Sequence, residues 1–436
     1  MKRRKKNQKV RNLITLCALC AILLSVSTYA WFIGMKTVNV TEFDINIATT
    51  EGLFLSMDGK DWVYTLDAKN TPAYEGNANQ WLEDSGLIPM SSIGEMDSKS
   101  SRMKLYEKGS LTAVTGGYRL LSSQVDNYTK QVGGSTSSIE YVEGDGYIAF
   151  DLFVKNLSGN PYYPENNVLN EEAIYLNTNS AVTVALDGEG KAGIENSVRV
   201  GFVQLGRVSA ALDTDVPENQ KLVTSMTCAD SLAGTEDPKH VTGICRDAQI
   251  WEPNDNKHVQ NALNWYNESC LERTGSDVNS SASYTDSTPC KTLNTTTAYS
   301  TYAISRTIGI DDNVNIYDGT AYNTYTANTN TLKEYNDAPE GTEPGQKGAM
   351  KLVEFPYFTD TMKNVEGKDR PQFMTLAPNS ITKLRVYVWI EGQDIDNYDF
   401  ASLGKKITIN FGFTKERYNQ SDFPEYDGPD VPTTNE

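Results

Sequence analysis

The sequence predicts a mainly β protein, an antiparallel β-sandwich with long polar insertions that follows an N-terminal apolar segment. Several short runs of residues have a strand pattern, most of them alternating between apolar and polar positions, which is the period of a half-buried strand. Turn-forming pairs such as Asp58-Gly59 separate the runs, and no regular helices lie between them, which disfavours a parallel α/β sheet. The runs cover residues 43–48, 53–57, 61–66, 148–154, 182–186, 198–202, 384–390 and 407–413.

The N-terminal segment predicts export. Seven basic residues lie before residue 12, and residues 13–34 form an apolar stretch long enough to cross a bilayer as a helix. Thr28 and Ala30 place small residues at the −3 and −1 positions before Trp31, so residues 1–30 are predicted to be a signal peptide that is cut after Ala30. An uncleaved signal anchor is the alternative. In both cases the basic end stays in the cytoplasm, and the rest of the chain lies on the extracellular side of the membrane, at the cell surface or secreted.

The exported part is predicted to be one sandwich that insertions interrupt. Its first part covers residues 37–204 and contains a polar insertion at about 69–138, and its last strands cover residues 336–414. Residues 205–335 lack the strand alternation for most of their length and are rich in Asn, Thr, Ser, Asp and Tyr. Residues 415–436 contain prolines among acidic residues and are predicted to be a disordered tail.

One helix is predicted inside the second insertion. Val259, Ala262 and Leu263 follow helical spacing, and Asn254 or Asp255 offers a side-chain oxygen that can cap the first turn. We interpret the rest of this insertion as loop rather than as a second domain with its own core.

The four cysteines outside the apolar segment, Cys228, Cys245, Cys270 and Cys290, all lie in this insertion. In an exported, loop-rich region they predict two disulfides, for which three pairings exist. We favour sequential pairing, Cys228 with Cys245 and Cys270 with Cys290, because each bond then closes a short loop. A metal site formed with one of the two histidines is disfavoured, since the close paired spacings of zinc sites are missing.

The charge of the chain excludes nucleic acid as the default partner. Lysine and arginine number 39 against 57 aspartate and glutamate. Without the seven basic residues at the N-terminus, 32 positive charges face 57 negative ones, a net charge of −25. Such a surface repels a phosphate backbone, which binds through lysine and arginine.

No catalytic residue, cofactor or metal site is predicted. The sequence contains no HExxH, no G-x-S-x-G and no phosphate-binding glycine motif. Acidic residues are so frequent that no glycosidase-type carboxylate pair can be singled out. The acidic stretches 311–315 and 391–399 offer oxygen atoms to calcium, but their spacing differs from that of an EF-hand loop, so we interpret both as surface turns.

The region around the predicted cleavage site carries a family resemblance. Residues 27–34 (STYAWFIG) are followed by the strand pattern at 43–48 and by Gly-Leu-Phe-Leu-Ser at 52–56. This order resembles the start of TasA/camelysin-type exported proteins of Gram-positive bacteria, and residues 198–202 and 388–394 resemble later parts of surface proteins with this type of signal. The resemblance implies cleavage by a dedicated signal peptidase, a jelly-roll sandwich and assembly into fibres. This chain is longer than typical members, its cysteine-containing insertion departs from them, and the metallopeptidase activity ascribed to some members has no matching residues here.

These observations together predict a non-enzymatic structural protein of the cell surface or extracellular matrix that resembles TasA and forms fibres. Its expected partners are the membrane before processing, the signal peptidase and further copies of itself. Phe43, Ile45 and Ile47 are the candidates for self-association, because an extended segment with one apolar face either pairs within its own sandwich or adds to the edge of a neighbour. The alternative is an adhesin that binds glycan or a host protein through the tyrosines between residues 299 and 325, and an extracellular hydrolase is the third candidate.

Overall fold

The computed structural model describes the strands and their connections in separate ranges of the chain. These ranges are residues 40–49, 52–77, 79, 81, 87, 89–98, 100–110, 120–124, 129–131, 139–141, 143, 146–184, 193–228, 238–264, 294–296, 302–306, 351–354, 358–363, 373–392, 394–397 and 405–415. The predicted signal segment, the predicted tail after residue 415, and Cys270 and Cys290 lie outside the described residues.

Strands make up most of the regular structure, so the prediction of a mainly β protein is confirmed. In chain order they are β1 (Val40–Thr49), β2 (Leu53–Ser56), β3 (Thr65–Asp67), β4 (Pro89–Ser91), β5 (Met96–Asp97), β6 (Arg102–Met103), β7 (Tyr106–Ser110), β8 (Leu120–Gln124), β9 (Thr129–Gln131), β10 (Ile139–Tyr141), β11 (Ile148–Asn156), β12 (Glu172–Leu176), β13 (Ala181–Val184), β14 (Val198–Ser209), β15 (Thr242–Gly243), β16 (Gln249–Glu252), β17 (Tyr302–Arg306), β18 (Lys351–Glu354), β19 (Phe358–Thr359), β20 (Met374–Leu376), β21 (Ser380–Glu391) and β22 (Lys405–Lys415). The described residues include the helices α1 (Pro217–Thr224) and α2 (Asp360–Lys363), a helical stretch at 260–264, and 3-10 turns at Val168–Asn170 and Ile194–Ser197.

Two sheets face each other as in a β-sandwich. The smaller sheet has the order β20-β12-β22-β1-β3, with β13 also paired to β22. The larger sheet has the order β19-β16-β14-β21-β4-β7-β8, and β11 joins β2 to β21 in it. The sheets are mixed rather than purely antiparallel as predicted, because β1 runs parallel to β22, β4 to β21 and β19 to β16. Each parallel pair joins segments that are far apart in sequence, so no hairpin turn forces the antiparallel arrangement.

The main hydrophobic core lies between the two sheets. Val386 and Val388 of the larger sheet and Ile407 and Ile409 of the smaller one are fully buried in it. Phe202 lies in an aromatic group with Phe373, Phe411 and Phe413, at ring-centroid distances of 5.0, 5.1 and 5.5 Å. The alternation read from the sequence therefore identifies the residues that face the core in β21 and β22.

The other face of the larger sheet is also buried. Arg385, Tyr387 and Trp389 point away from the main core, yet all three are less than a tenth exposed. Tyr387 and Trp389 belong to a second apolar cluster, in which Met103, Leu105 and Cys228 from the two predicted insertions cover this face. Met90 and Ile250, which lie on strands of the larger sheet itself, belong to the same cluster. The insertions thus supply a third layer over the larger sheet.

The predicted helix of the second insertion is present, but it begins later than expected. Residues 260–264 are helical, and Ala262 and Leu263 are buried. Asn254 does not cap this helix, because its backbone is in the left-handed region at φ 60° and its side-chain amide donates to the carbonyl oxygen of Val182. Asparagine is a common cap residue, but the side chain of Asn254 bonds strand β13 instead.

Candidate functional site

Strand β1, the first described strand, pairs with β22, the last one. It runs parallel to β22 in continuous register from Glu42 opposite Lys406 to Thr49 opposite Phe413. The side chains of Ile45 and Ile47 point into the main core and are 0% and 1% exposed, while those of Asp44 and Asn46 are exposed. The apolar alternation that singled out Phe43, Ile45 and Ile47 therefore places at least Ile45 and Ile47 in the chain's own core. The side chain of Phe43 lies outside the described residues, and its backbone pairs with Ile407.

On the opposite edge of β1, described residues pair with its last part. Strand β3 pairs with Asn46, Ile47 and Ala48, and the backbone nitrogen of Ala68 donates to the carbonyl of Ile45 at 3.0 Å. Before Ile45, no described strand pairs with β1 on this side. An uncovered strand edge presents unpaired N–H and C=O groups, which are a template for pairing with another chain.

A groove of about 400 Å³, lined by both polar and apolar side chains, lies beside the paired end of β1. Its lining includes four asparagines, Asn46, Asn177, Asn179 and Asn410, together with Asp67. Asn46 and Asn410 lie opposite each other on neighbouring strands, and the amide nitrogen of Asn46 donates to Asn410 Oδ1 at 3.1 Å. Asp67 accepts hydrogen bonds from the backbone nitrogens of Lys69 and Asn70, both at 3.1 Å. The amide groups of the asparagines donate and accept hydrogen bonds, so the groove offers polar partners to a ligand.

A network of buried charges lies under the third layer. Asp151 accepts hydrogen bonds from Arg385 Nε at 2.8 Å and from the Tyr74 hydroxyl at 2.6 Å. Glu143 bonds Arg385 at 3.0 Å and also pairs with Arg102. Asp151 on β11 and Arg385 on β21 lie opposite each other, each at a position that alternates with core residues. The alternation gives the face of the sheet on which each residue lies but not its partner.

The network lowers the pKa of both carboxyl groups. Burial alone would raise the pKa of Asp151, but the charges of Arg385 and Lys383 and the hydrogen bond from Arg385 outweigh it and hold that pKa well below its usual range. Burial also acts against Glu143, and the charges of Arg385 and Arg102 lower the pKa of Glu143 in the same way. Both groups are therefore ionised in the folded protein and paired, which is a structural arrangement rather than a poised acid or base.

We expect the protein to lose stability in acid because of this network. The two carboxyl groups have a lower pKa folded than unfolded, so their contribution is fully present above about pH 5 and is lost as the pH falls through about 4 and below. Urea unfolding between pH 7 and pH 3 will show the decline. The variant Asp151→Asn should have a shallower pH dependence than the wild type, and an equal dependence would show that Asp151 does not contribute.

The prediction of a surface turn at 391–399 is wrong for the described part of this stretch, because Glu391, Asp394 and Asp396 are 0%, 9% and 0% exposed and the last two bond basic side chains. Asp394 accepts from Arg199 at 2.6 Å, and Arg199 also bonds Glu252 at 2.5 Å. Asp396 Oδ2 lies 2.7 Å from His258 Nδ1. Burial raises the pKa of Asp396 to about 6, and the charge of Asp394 adds to this against the hydrogen bond from His258. In the described ranges no three His, Cys, Asp or Glu side chains are grouped so that they could hold a metal ion.

The described residues contain one disulfide, between Cys228 and Cys245, as the sequential pairing predicted. The two cysteines are 17 positions apart, and their Cα atoms are separated by 4.9 Å. Cys228 is buried in the third layer, where its backbone nitrogen donates to Ser101 at 2.9 Å, and Arg246 next to Cys245 bonds Glu171 at 2.7 Å. The bond thus ties the third layer to the edge of the sandwich. The pairing of Cys270 with Cys290 stays a prediction.

Removal of this disulfide is expected to lower the free energy of unfolding by about 3 kcal/mol, the chain-entropy value for a loop of this length. Cys228→Ser and Cys245→Ser should have similar effects in urea unfolding, and the double variant should be no worse than either. In unreduced native protein an alkylating reagent should label neither residue. Labelling of both would contradict the bond.

The residues of the predicted cleavage site, Thr28, Ala30 and Trp31, lie outside the described residues. Each helix within the described ranges is too short or too polar to span a bilayer.

Comparison with known proteins found no relative. No family model, no curated protein and no solved structure matches this chain.

Proposed function

We propose that this chain is an exported, non-enzymatic structural protein of the cell surface or extracellular matrix, with subunits that join through strand β1. The observation that carries the proposal is the position of β1, which lies along β22 in the smaller sheet, a place that we call the β1 slot, while no described strand pairs with the first half of its other edge. The resemblance of residues 27–34 to TasA-type signals adds processing after Ala30 by a signal peptidase, with the membrane as partner before the cut. The finer jelly-roll topology belongs to this proposal as well.

Exchange of β1 between chains is the mechanism that we propose for assembly. The β1 of one chain would leave its slot and enter the slot of the next chain, where it makes the same backbone bonds and buries Ile45 and Ile47 in the same way. Because the bonds within and between chains are alike, protein concentration decides between them, as in domain swapping. Gly52, at φ 82°, directly precedes β2 and provides a bend in the connection from β1 to the other sheet.

Assembly of a chain that begins at Trp31 tests this function. We expect polymers at high concentration, seen by light scattering and electron microscopy, because the cut frees the segment that precedes β1. The uncut chain held in vesicles is the control, and it should not polymerise. A chain from Trp31 that stays monomeric at every concentration would contradict the proposal.

The groove beside β1 favours an adhesin as the second candidate. Its asparagines offer paired donors and acceptors of the kind that bind sugar hydroxyl groups. A glycan array distinguishes the two functions, since an adhesin binds as a monomer and loses binding in the variant Asn410→Ala. For the third candidate, an extracellular hydrolase, we propose no catalytic residue.

A further inference from the structure

Lys415, Asn156 and Glu172 meet at one end of the sandwich. Lys415 is the last residue of β22, Asn156 the last residue of β11, and Glu172 the first residue of β12. Lys415 Nζ lies 2.8 Å from Asn156 Oδ1, and Asn156 Nδ2 donates to Glu172 Oε2 at 2.9 Å. Glu172 Oε2 is also 3.3 Å from Lys415 Nζ. One carboxylate oxygen thus contacts both the amine and the amide nitrogen.

The surroundings hold these three side chains in place. Asn156 is 0% exposed and donates a second hydrogen bond to the carbonyl of Ala377 at 3.0 Å. The Lys415 and Glu172 side chains are 19% and 21% exposed, and Ser158 donates to the other oxygen of Glu172. Gly52 leaves the space that the lysine needs, since a Cβ there would lie 3.1 Å from Lys415 Cε and 3.2 Å from Nζ.

We propose that Lys415 and Asn156 form an intramolecular amide (isopeptide) bond, with Glu172 as the catalytic residue. The geometry fits, because a carbonyl oxygen 2.8 Å from the amine places the carbonyl carbon at most about 4 Å away, close to the approach distance of reacting atoms. Glu172 Oε2 is within reach of both Lys415 Nζ and Asn156 Nδ2. It can therefore take a proton from the amine and give one to the nitrogen that leaves.

The reaction needs no further reactant. The Lys415 ammonium first passes a proton to the Glu172 carboxylate, and the free amine attacks Asn156 Cγ, so that the Nζ–Cγ bond forms. Glu172 then gives its proton to Nδ2, the Cγ–Nδ2 bond breaks, and ammonia leaves. The second proton of Nζ passes through Glu172 to the ammonia, so an ammonium ion departs with the charge that Lys415 carried, and Glu172 ends as a carboxylate.

A second lysine–asparagine pair in the chain provides an internal control. Lys257 Nζ lies 2.8 Å from Asn254 Oδ1, the same distance as in the proposed site. The amide nitrogen of Asn254 donates to the backbone carbonyls of Val182 and Glu195, at 3.0 and 3.4 Å, and to no carboxylate. Proximity alone would join both pairs, whereas the proposed catalysis joins only Lys415 and Asn156.

The bond would connect the two sheets of the sandwich. Strand β22 belongs to the smaller sheet and β11 to the larger one, and the two residues are 259 positions apart in sequence. It would also fix the strand that forms one wall of the β1 slot. The proposal does not depend on how chains associate, so it stands or falls separately from the proposed function.

Peptide mapping of the full chain by mass spectrometry tests the bond. After reduction and trypsin digestion, we expect a linked pair of peptides that contains Asn156 and Lys415, is lighter than the sum of the two by about 17 Da for one ammonia, and is not cut after Lys415. Asn254 and Lys257 lie in one tryptic peptide, residues 247–257, which should have its full mass and be cut after Lys257. Separate, unmodified peptides for both residues would overturn the proposal, and so would a loss of about 18 Da, which identifies a Lys415–Glu172 amide.

The variant Glu172→Gln isolates the catalytic role. It keeps the shape of the side chain but cannot accept the proton, so the linked peptide should be absent while the circular dichroism spectrum is unchanged. A linked peptide of undiminished yield in this variant would overturn the role of Glu172. If this variant does not fold, Asn156→Asp provides the second test, because the linked peptide should then be lighter by water instead of ammonia; loss of ammonia there would place the bond elsewhere.

Discussion

Replacement of Asp151 by asparagine will lower the free energy of unfolding by about 3–5 kcal/mol, the usual effect of removing one partner from a buried ion pair. Asparagine keeps the shape of the side chain but removes the charge that faces Arg385 Nε at 2.8 Å and Lys383 Nζ at 3.3 Å. Asp151 is 0% exposed, so water cannot replace the lost interaction. Urea unfolding at pH 7 measures the difference.

Asp215→Asn is the matched control for this change. Asp215 lies 3.9 Å from Lys60, and its side chain is 84% exposed, so the same chemical substitution should have little effect on stability. If Asp151→Asn were as mild as Asp215→Asn, the buried network would not be what holds the third layer on the larger sheet.

A chain that begins at Glu51 will be strongly destabilised relative to one that begins at Trp31. It lacks β1, so Ile45 and Ile47 leave the core, and each buried isoleucine contributes about 1.5–3 kcal/mol. The backbone bonds between β1 and β22 are lost as well. Thermal unfolding followed by circular dichroism should show a lower midpoint or no cooperative transition.

Addition of a peptide that contains residues 37–50 should restore the transition, because the slot accepts β1 from another molecule. The same peptide with Ile45→Asp is the control, and it should not restore stability, since the carboxylate would be buried in the core. Equal stability of the two chains without any peptide would contradict the assignment of β1 to this slot.

The sequence predicted the inner faces of the strands better than their outer faces. Alternation identified Val386 and Val388 as core residues, since a strand with one buried face shows that face in its pattern. The same pattern places Arg385 on the opposite face of the strand. A charged residue there is compatible either with exposure to water or with burial beside a partner under a third layer of protein. Only the partner, Asp151 on β11, decides between them, and that partner is set by tertiary pairing.

In the candidate sites, contacts between residues close in sequence were predictable, whereas contacts between residues far apart in sequence were not. The pairing of Cys228 with Cys245 was predictable because the two residues are close in sequence. The parallel pairing of β1 with β22 and the meeting of Lys415 with Asn156 join residues more than 250 positions apart, and no local pattern records such contacts. The sequence offers Asn254 or Asp255 as a helix cap, and residue type alone cannot show that the Asn254 amide donates to the carbonyl of Val182 instead.

Disulfide trapping between Asn46 and Asn410 tests the central claim most directly. These residues lie opposite each other in the β1–β22 pair and touch through their side chains. In a single chain from Trp31 that carries both Asn46→Cys and Asn410→Cys, the bond should form within the chain at low concentration. In a concentrated mixture of the two single variants, we expect a bond between chains, seen as a dimer on a non-reducing gel. A mixture of Asn46→Cys with Thr408→Cys is the control, since position 408 lies opposite Asp44. Linked dimers in the first mixture alone are the result that strand exchange predicts, whereas bonds within the double variant and none between the single variants would show that β1 stays in its own chain.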